Sequence, residues 1–226
     1  MSATVAAPAV SRAYVRGPLD ASLLQQTVGQ TLRRTVERFG DREALVVRHQ
    51  HYRATYGQLW DEVSLAARGL LARGVNKGDR IGIWAPNRHE WVVTQFATAR
   101  IGAILVTINP AYKAAELEYA LDKSGVSFLL LARRFRQADY RSILEDVRPR
   151  CPRLRQAVVL EDGWEQLLAD GRRVGESELA NREASLDVHE PIHIQYTSGT
   201  TGFPKADTLS HHNIVNNAYF VGRALR

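Results

Sequence analysis

The sequence predicts an α/β protein, with a mainly parallel sheet and helices on both faces. Three observations carry that prediction. Short apolar runs of strand length, such as 81–84 and 126–131, are bounded by Gly or Pro, as in strands covered on both sides. Between them lie longer stretches whose apolar residues recur at helical spacing. The two kinds alternate along the chain, the pattern of parallel strands joined by crossover helices.

The elements follow in order. Leu24, Val28, Leu32 and Val36 form one stripe of a helix that Gly40 ends. Residues 44–47 read as a strand, followed by a polar turn through His49, Gln50 and His51. Thr55 and Gln58 make a T-x-x-Q capping box. The helix they open carries Leu59, Val63, Ala67, Leu70 and Leu71, and stops at Gly74. A buried strand at 81–84 is closed by Pro86. A helix over 90–101, a strand over 103–108 and a turn at Asn109-Pro110 come next. Helix 116–123, strand 126–131, helix 141–147 and strand 157–160 continue the alternation. A polar helix is expected over 164–179, a strand over 192–196 and a helix over 210–225. No repeat or linker interrupts residues 20–226, so one domain is expected there.

Composition narrows the class. The chain has 226 residues, 45% hydrophobic and 24% charged, enough for a real core and ordinary for a soluble domain. No apolar run reaches the ~18 residues of a membrane-spanning helix. The single cysteine, Cys151, excludes an internal disulfide framework and reads as a structural or surface thiol in a reducing compartment. A cytoplasmic location is therefore expected. The net charge of +6 comes from scattered arginines rather than a stripe, so no nucleic-acid partner is expected. Residues 1–19 hold no acid, a composition compatible with a transit peptide. Ala7-Pro8-Ala9 and Gly17-Pro18 break any helix there, so the segment is read as a flexible leader.

The chemistry concentrates in Tyr196-Thr197-Ser198-Gly199-Thr200-Thr201-Gly202-Phe203-Pro204-Lys205, between an expected strand and an expected helix. Gly199 and Gly202 let the backbone turn sharply and approach a ligand closely. Successive N–H groups can then converge on one anion. Thr197, Ser198, Thr200 and Thr201 add hydroxyls, and Lys205 adds a cation. A Ser/Thr/Gly cluster is often a plain turn; the preceding strand and the closing Pro-Lys weigh against that here. The loop is neither a Walker A loop nor a G-x-G-x-x-G fingerprint. Elsewhere, none of the seven histidines has metal-binding spacing. His211 and His212 read as helix-start or packing residues. Asp61-Glu62 and Glu161-Asp162 read as surface charges, and Trp84 and Trp91 as core.

These motifs resemble the adenylate-forming (AMP-binding) enzymes: acyl-CoA synthetases, peptide-synthetase adenylation domains and luciferases. The segment 196–205 looks like their signature loop. Thr55-Tyr56-Gly57-Gln58-Leu59, Gly78-Asp79-Arg80-Ile81, Asn109-Pro110 and Thr208-Leu209-Ser210-His211 look like further family blocks. Asn109-Pro110-Ala111-Tyr112 is most similar to fatty acyl-CoA synthetases of the medium-chain type. The resemblance covers about residues 20–226 and implies an incomplete amino-terminal domain of the adenylate-forming fold. It implies an ATP-dependent acid–thiol ligase using ATP, Mg²⁺, coenzyme A and a fatty acid. It also implies that Thr197, Ser198, Gly199, Thr200, Thr201, Gly202 and Lys205 hold the ATP phosphates.

Two features depart from the family. Relatives commonly carry Gly-Ala after Pro-Lys, where this chain has Ala206-Asp207. Ala206 would be strained if that position needs φ > 0, and Asp207 either opposes an anion or faces solvent. The family's catalytic lid lysine has no counterpart, since Lys205 is the only lysine after Lys123. The expectation is thus a truncated amino-terminal part of a ligase, with no catalytic or metal-ligating residue of its own. The alternative is a non-catalytic remnant that binds a nucleotide or a partner.

Overall fold

The computed structural model describes residues 22–197 and 204–225. The expected leader, 1–19, lies outside them. Helix α1 (Val28–Phe39) begins later than its apolar stripe, because Thr27 and Gln30 form a capping box that sets the first turn. Leu24 stays extended, and Asn216 grips it: its side chain accepts from Leu24 N–H and donates to Leu24 C=O. Strands β1 (Glu43–Val47) and β2 (Tyr52–Thr55) form an antiparallel hairpin closed by a 3-10 turn at Arg48–Gln50. The predicted Thr55–Gln58 box opens α2 (Tyr56–Ala72).

The alternating region follows as β3 (Arg80–Trp84), α3 (His89–Ile101), β4 (Ile104–Ile108), α4 (Ala114–Ser124) and β5 (Val126–Leu131). Two-residue strands β6 (Arg134–Phe135) and β7 (Ala138–Asp139) lead into α5 (Tyr140–Val147) and β8 (Gln156–Val159). Instead of one helix over 164–179 there are two, α6 (Leu160–Gly171) and α7 (Glu176–Ala184), separated by a turn that ends at Gly175, the cap of α7. Strands β9 (Pro191–Thr197) and β10 (Lys205–Ser210) and helix α8 (His211–Ala224) complete the described chain.

Six strands form the central sheet in the order β10-β9-β4-β3-β5-β8, all parallel except β10. From β3 the chain crosses to β4 on one side; from β4 it crosses back over β3 to β5. Both crossovers are right-handed, so α3 and α4 lie on opposite faces. Helix α2 packs with α3 and α6 on one face, and α4 packs with α5 on the other. Ile81, Ile83, Leu129 and Leu130 are fully buried between the layers, which is why these runs lack polar alternation. Cys151 joins this core, where burial raises its thiol pKa. Among the described residues no helix is long and apolar enough to cross a membrane.

His211, at the first position of α8, is fully buried and its Nδ1 accepts the Val28 N–H at 3.2 Å. Burial pushes its imidazole down to about 4; burial likewise lowers His193. The unfolded chain therefore takes up the proton first as pH falls, so this stability is complete above about 6.5 and lost between there and about 4. Between pH 7 and 5 the urea midpoint should fall, by about 2 kcal/mol of stability from His211 alone. In His211→Gln that difference should shrink. An unchanged pH slope would show that the buried imidazole is not its source.

Candidate functional site

Strands β3 and β4 end side by side while their following helices leave to opposite faces. That opens a crevice at the carboxyl edge of the sheet, the place where ligands bind in open α/β sheets. A cleft of about 480 Å³ occupies it. Asn87 follows β3, Asn109 and Tyr112 follow β4, and Thr197 and Pro204 flank residues 198–203. Trp91, from the first turn of α3, lines the cleft too, and so serves as more than a core residue. No charged side chain lines it among the described residues. Burial raises the pKa of Tyr112 and Tyr196, so both walls stay neutral phenols.

Of the expected loop residues, Thr197 and Lys205 are described; Ser198, Gly199, Thr200, Thr201 and Gly202 lie outside the described residues. Thr197 and Lys205 face each other as the last described pair of the β9–β10 ladder. The Thr197 hydroxyl donates to Asp207 Oδ2 at 3.3 Å and lies 3.5 Å from the Lys205 carbonyl. Both side chains are exposed; Thr197 lines the cleft, and Lys205 follows Pro204, which lines it too. The helix expected over 210–225 is present as α8 (His211–Ala224), but the stretch between it and the loop was not read as a strand. The six-residue strand β10 intervenes, and α8 starts only at His211. Thr197 and Lys205 thus stand at the root of a hairpin, and the amino end of α8 is a strand's length away.

That geometry settles Ala206 and Asp207. Ala206 pairs with Tyr196 in extended strand, and the positive-φ non-glycine residues among those described are His51 and Arg136. Ala206 therefore carries no left-handed strain. Asp207 is exposed and bound by Thr197, which spreads its charge toward solvent and the hairpin root.

The turn after β3 is held by a polar network that the sequence did not reveal. Glu90 is buried; burial works to raise its pKa, but hydrogen bonds from Arg88 and Gln50 outweigh it and hold the carboxyl below its ordinary value. Glu62 is no surface charge. It accepts from Tyr52 Oη at 2.6 Å and Trp164 Nε1 at 3.0 Å, and His89 lies 3.5 Å away. Glu161 pairs with Arg88 and accepts the Arg133 N–H; Asp162 pairs with Arg133 and Arg141. Adjacent acids had suggested a solvated face. Asp61, Glu161 and Asp162 are exposed, as read, whereas Glu62 lies against β2, α6 and the start of α3, where Tyr52, Trp164 and His89 converge on it. The opposite wall is set by Trp84, whose Nε1 donates to the Asn109 carbonyl at 3.2 Å. Its ring stacks on Tyr140, whose hydroxyl donates to the Pro110 carbonyl.

Comparison with known proteins adds relatives to this geometry. The chain is 42% identical to the medium-chain acyl-CoA ligase ACSF2, mitochondrial, of Bos taurus over 99% of its length and 40% of that protein's. It is 41% identical to the Homo sapiens counterpart, over 98% of this chain and 39% of that protein. An acyl-CoA ligase SID4 of Ajellomyces capsulatus is 40% identical over 93% of the chain and 38% of its own length. The chain thus spans about 40% of the length of the curated relatives it matches. Among solved structures, a long-chain-fatty-acid-CoA ligase (FadD1) from Archaeoglobus fulgidus superposes with a TM-score of 0.77 at 24% identity, over 92% of this chain and 41% of that one. The anthranilate CoA ligase AuaEII, in complex with anthranoyl-AMP, gives 0.71 at 24% identity, over 85% and 35%. These two likenesses speak to the fold.

The relatives also correct one expectation. A cytoplasmic location was inferred from a lone cysteine, yet the bovine, rat and human relatives are mitochondrial proteins. A single thiol reports a reducing environment, and that property does not separate the two compartments. The model of one family, described as AMP-binding enzyme, matches residues 32–225. With its sheet, its carboxyl-edge cleft and that match, the chain belongs to the AMP-binding enzyme family.

Proposed function

We propose that this chain supplies the phosphate-gripping part of an ATP-dependent fatty acyl-CoA ligase. The observation that carries the reading is the position of the Thr197/Lys205 hairpin root at the mouth of the carboxyl-edge cleft. In the reaction, a fatty acid carboxylate attacks the α-phosphorus of ATP and pyrophosphate leaves. The thiol of coenzyme A then attacks the acyl carbonyl and AMP leaves. The residues Thr197, Ser198, Gly199, Thr200, Thr201, Gly202 and Lys205 are assigned to the β- and γ-phosphates. Lys205 offsets their charge and the hydroxyls donate to their oxygens, which favours departure of pyrophosphate by positioning and electrostatics. Mg²⁺ would add charge neutralisation at the phosphates. Among the described residues no group of three acids, imidazoles or thiols stands together, so no side chain here is assigned to hold it. Residues 20–226 are assigned to one adenylation unit, a reading supported by the Asn216 clasp that joins Leu24 to α8.

Calorimetric titration with Mg·ATP tests this. Lys205→Ala is expected to weaken binding about tenfold or more, the loss of one charge-assisted phosphate contact. Equal affinity in the two chains would sink the reading. ATP–pyrophosphate exchange with octanoate then separates two outcomes. Exchange above the Lys205→Ala control supports adenylation by these residues. Lys205-dependent binding without exchange supports a nucleotide-binding chain that does not itself turn over.

A further inference from the structure

Helix α4 reaches both roots of the signature loop. Tyr119, half-buried on α4, donates its hydroxyl to the Pro204 carbonyl at 3.3 Å. Its ring lies against that of Tyr196, with centroids 6.3 Å apart and planes tilted by 59°. Pro204 is the last residue before Lys205, and Tyr196 is the residue before Thr197. One side chain therefore touches the entry and the exit of the loop. Tyr196 in turn points back at α4: its hydroxyl meets Ser124 Oγ at 2.7 Å and donates to the Ala120 carbonyl at 3.1 Å.

The neighbourhood gives this contact a consequence. Strand β10 is the edge of the sheet, and none of its residues is buried. Its ladder partner on one side is β9; the other side has none among the described residues. Little core packing therefore holds Lys205 in place, and an edge strand held mainly by one ladder opens readily. Pro204 has no N–H, so it cannot donate to a ladder itself. Its carbonyl is the group through which the loop's exit can be tied to the rigid helical layer, and Tyr119 supplies that tie.

We infer that Tyr119 is a positioning residue for the phosphate site: it clamps Pro204 and Tyr196 against α4 so that Thr197 and Lys205 are held ready for the ATP phosphates. The inference rests on the reading of 197–205 as a phosphate grip. Tyr119 acts through the hairpin root, not on the substrate.

The test is Tyr119→Phe, which keeps the ring and removes only the donor, in the full 226-residue chain. Two readouts are needed. Native-state amide exchange at Lys205 and Ala206 should quicken about tenfold, while the thermal midpoint stays that of the parent. Affinity for Mg·ATP should fall about three- to tenfold, the effect of one lost hydrogen bond. Affinity for AMP, which lacks the β- and γ-phosphates, should not change. That selectivity is what a purely structural tyrosine would not produce. Unchanged exchange at Lys205 and Ala206 overturns the clamp. An equal loss of ATP and AMP affinity overturns the positioning role in favour of general loosening. ATP binding that disappears in Lys205→Ala but persists in full in Tyr119→Phe overturns the role alone. No Mg·ATP binding by the parent chain overturns the phosphate reading, and this role with it.

Discussion

Trp84→Ala is expected to lower stability by about 4 kcal/mol, the range for removing a fully buried large aromatic side chain. Trp84 ends β3 with no exposed surface, stacked on Tyr140 with ring centroids 3.5 Å apart and planes within 4°. The substitution leaves a cavity between β3 and α5, beside the Tyr140 ring. It also removes one of the two donors to the Asn109 carbonyl, which keeps the Tyr112 N–H, so the Asn109-Pro110 turn loses its tie to β3 and keeps the one to Tyr140. Trp84→Phe separates the two effects. It keeps most of the apolar volume and loses the indole N–H, so a smaller cost of about 1–2 kcal/mol is expected from the lost hydrogen bond and the poorer fit. Urea unfolding of both variants measures this. A loss below about 1 kcal/mol in Trp84→Ala would contradict the packing account.

The second large effect is expected at the crossing of α2 and α6. A Cβ on Gly171 would lie 2.1 Å from the Leu65 carbonyl oxygen and 2.9 Å from the Gly69 nitrogen. From the other helix, a Cβ on Gly69 would lie 2.1 Å from the Leu167 carbonyl oxygen. These obstacles are backbone atoms, so no side chain can swing aside and the helices must move apart. Helix propensity alone favours alanine over glycine by about 1 kcal/mol. The overlap outweighs that gain, and Gly171→Ala should lose about 3 kcal/mol net. Gly222→Ala in α8 is the control: it is exposed, with nothing within 4 Å of a new Cβ, so propensity acts alone and stability should rise by up to about 1 kcal/mol. The same sign at both positions would mean that the tight crossing does not limit the fold.

Much of this molecule is decided locally, and those parts were legible. The Thr55–Gln58 box opens α2 as read, because a cap and its partner are three residues apart and need nothing else. The strands 81–84 and 126–131 reappear within a residue of their bounds as β3 and β5, because burial on both faces writes an unbroken apolar run. Family membership was legible for the same reason: it rests on short motifs at fixed spacing.

What escaped was decided by contacts between separate elements. Strand β10 is polar and exposed and exists because β9 pairs with it; nothing in Lys205-Ala206-Asp207-Thr208 alternates. Strand β2 is four residues long and depends on β1. Glu62 looked like a surface acid until β2, α3 and α6 brought Tyr52, His89 and Trp164 to it. Gly69 and Gly171 carry no motif of their own, yet they are where two backbones touch. Tyr119 was an ordinary helical tyrosine until the sheet carried Pro204 to its hydroxyl. The sequence by itself determined the elements with local caps or continuous apolar runs, the fold class and the family. Only the tertiary structure decided the loop's hairpin setting, its anchor on α4 and the polar network under the cleft, because those depend on pairing between separate elements, in part scores of residues apart, that no single element's pattern encodes.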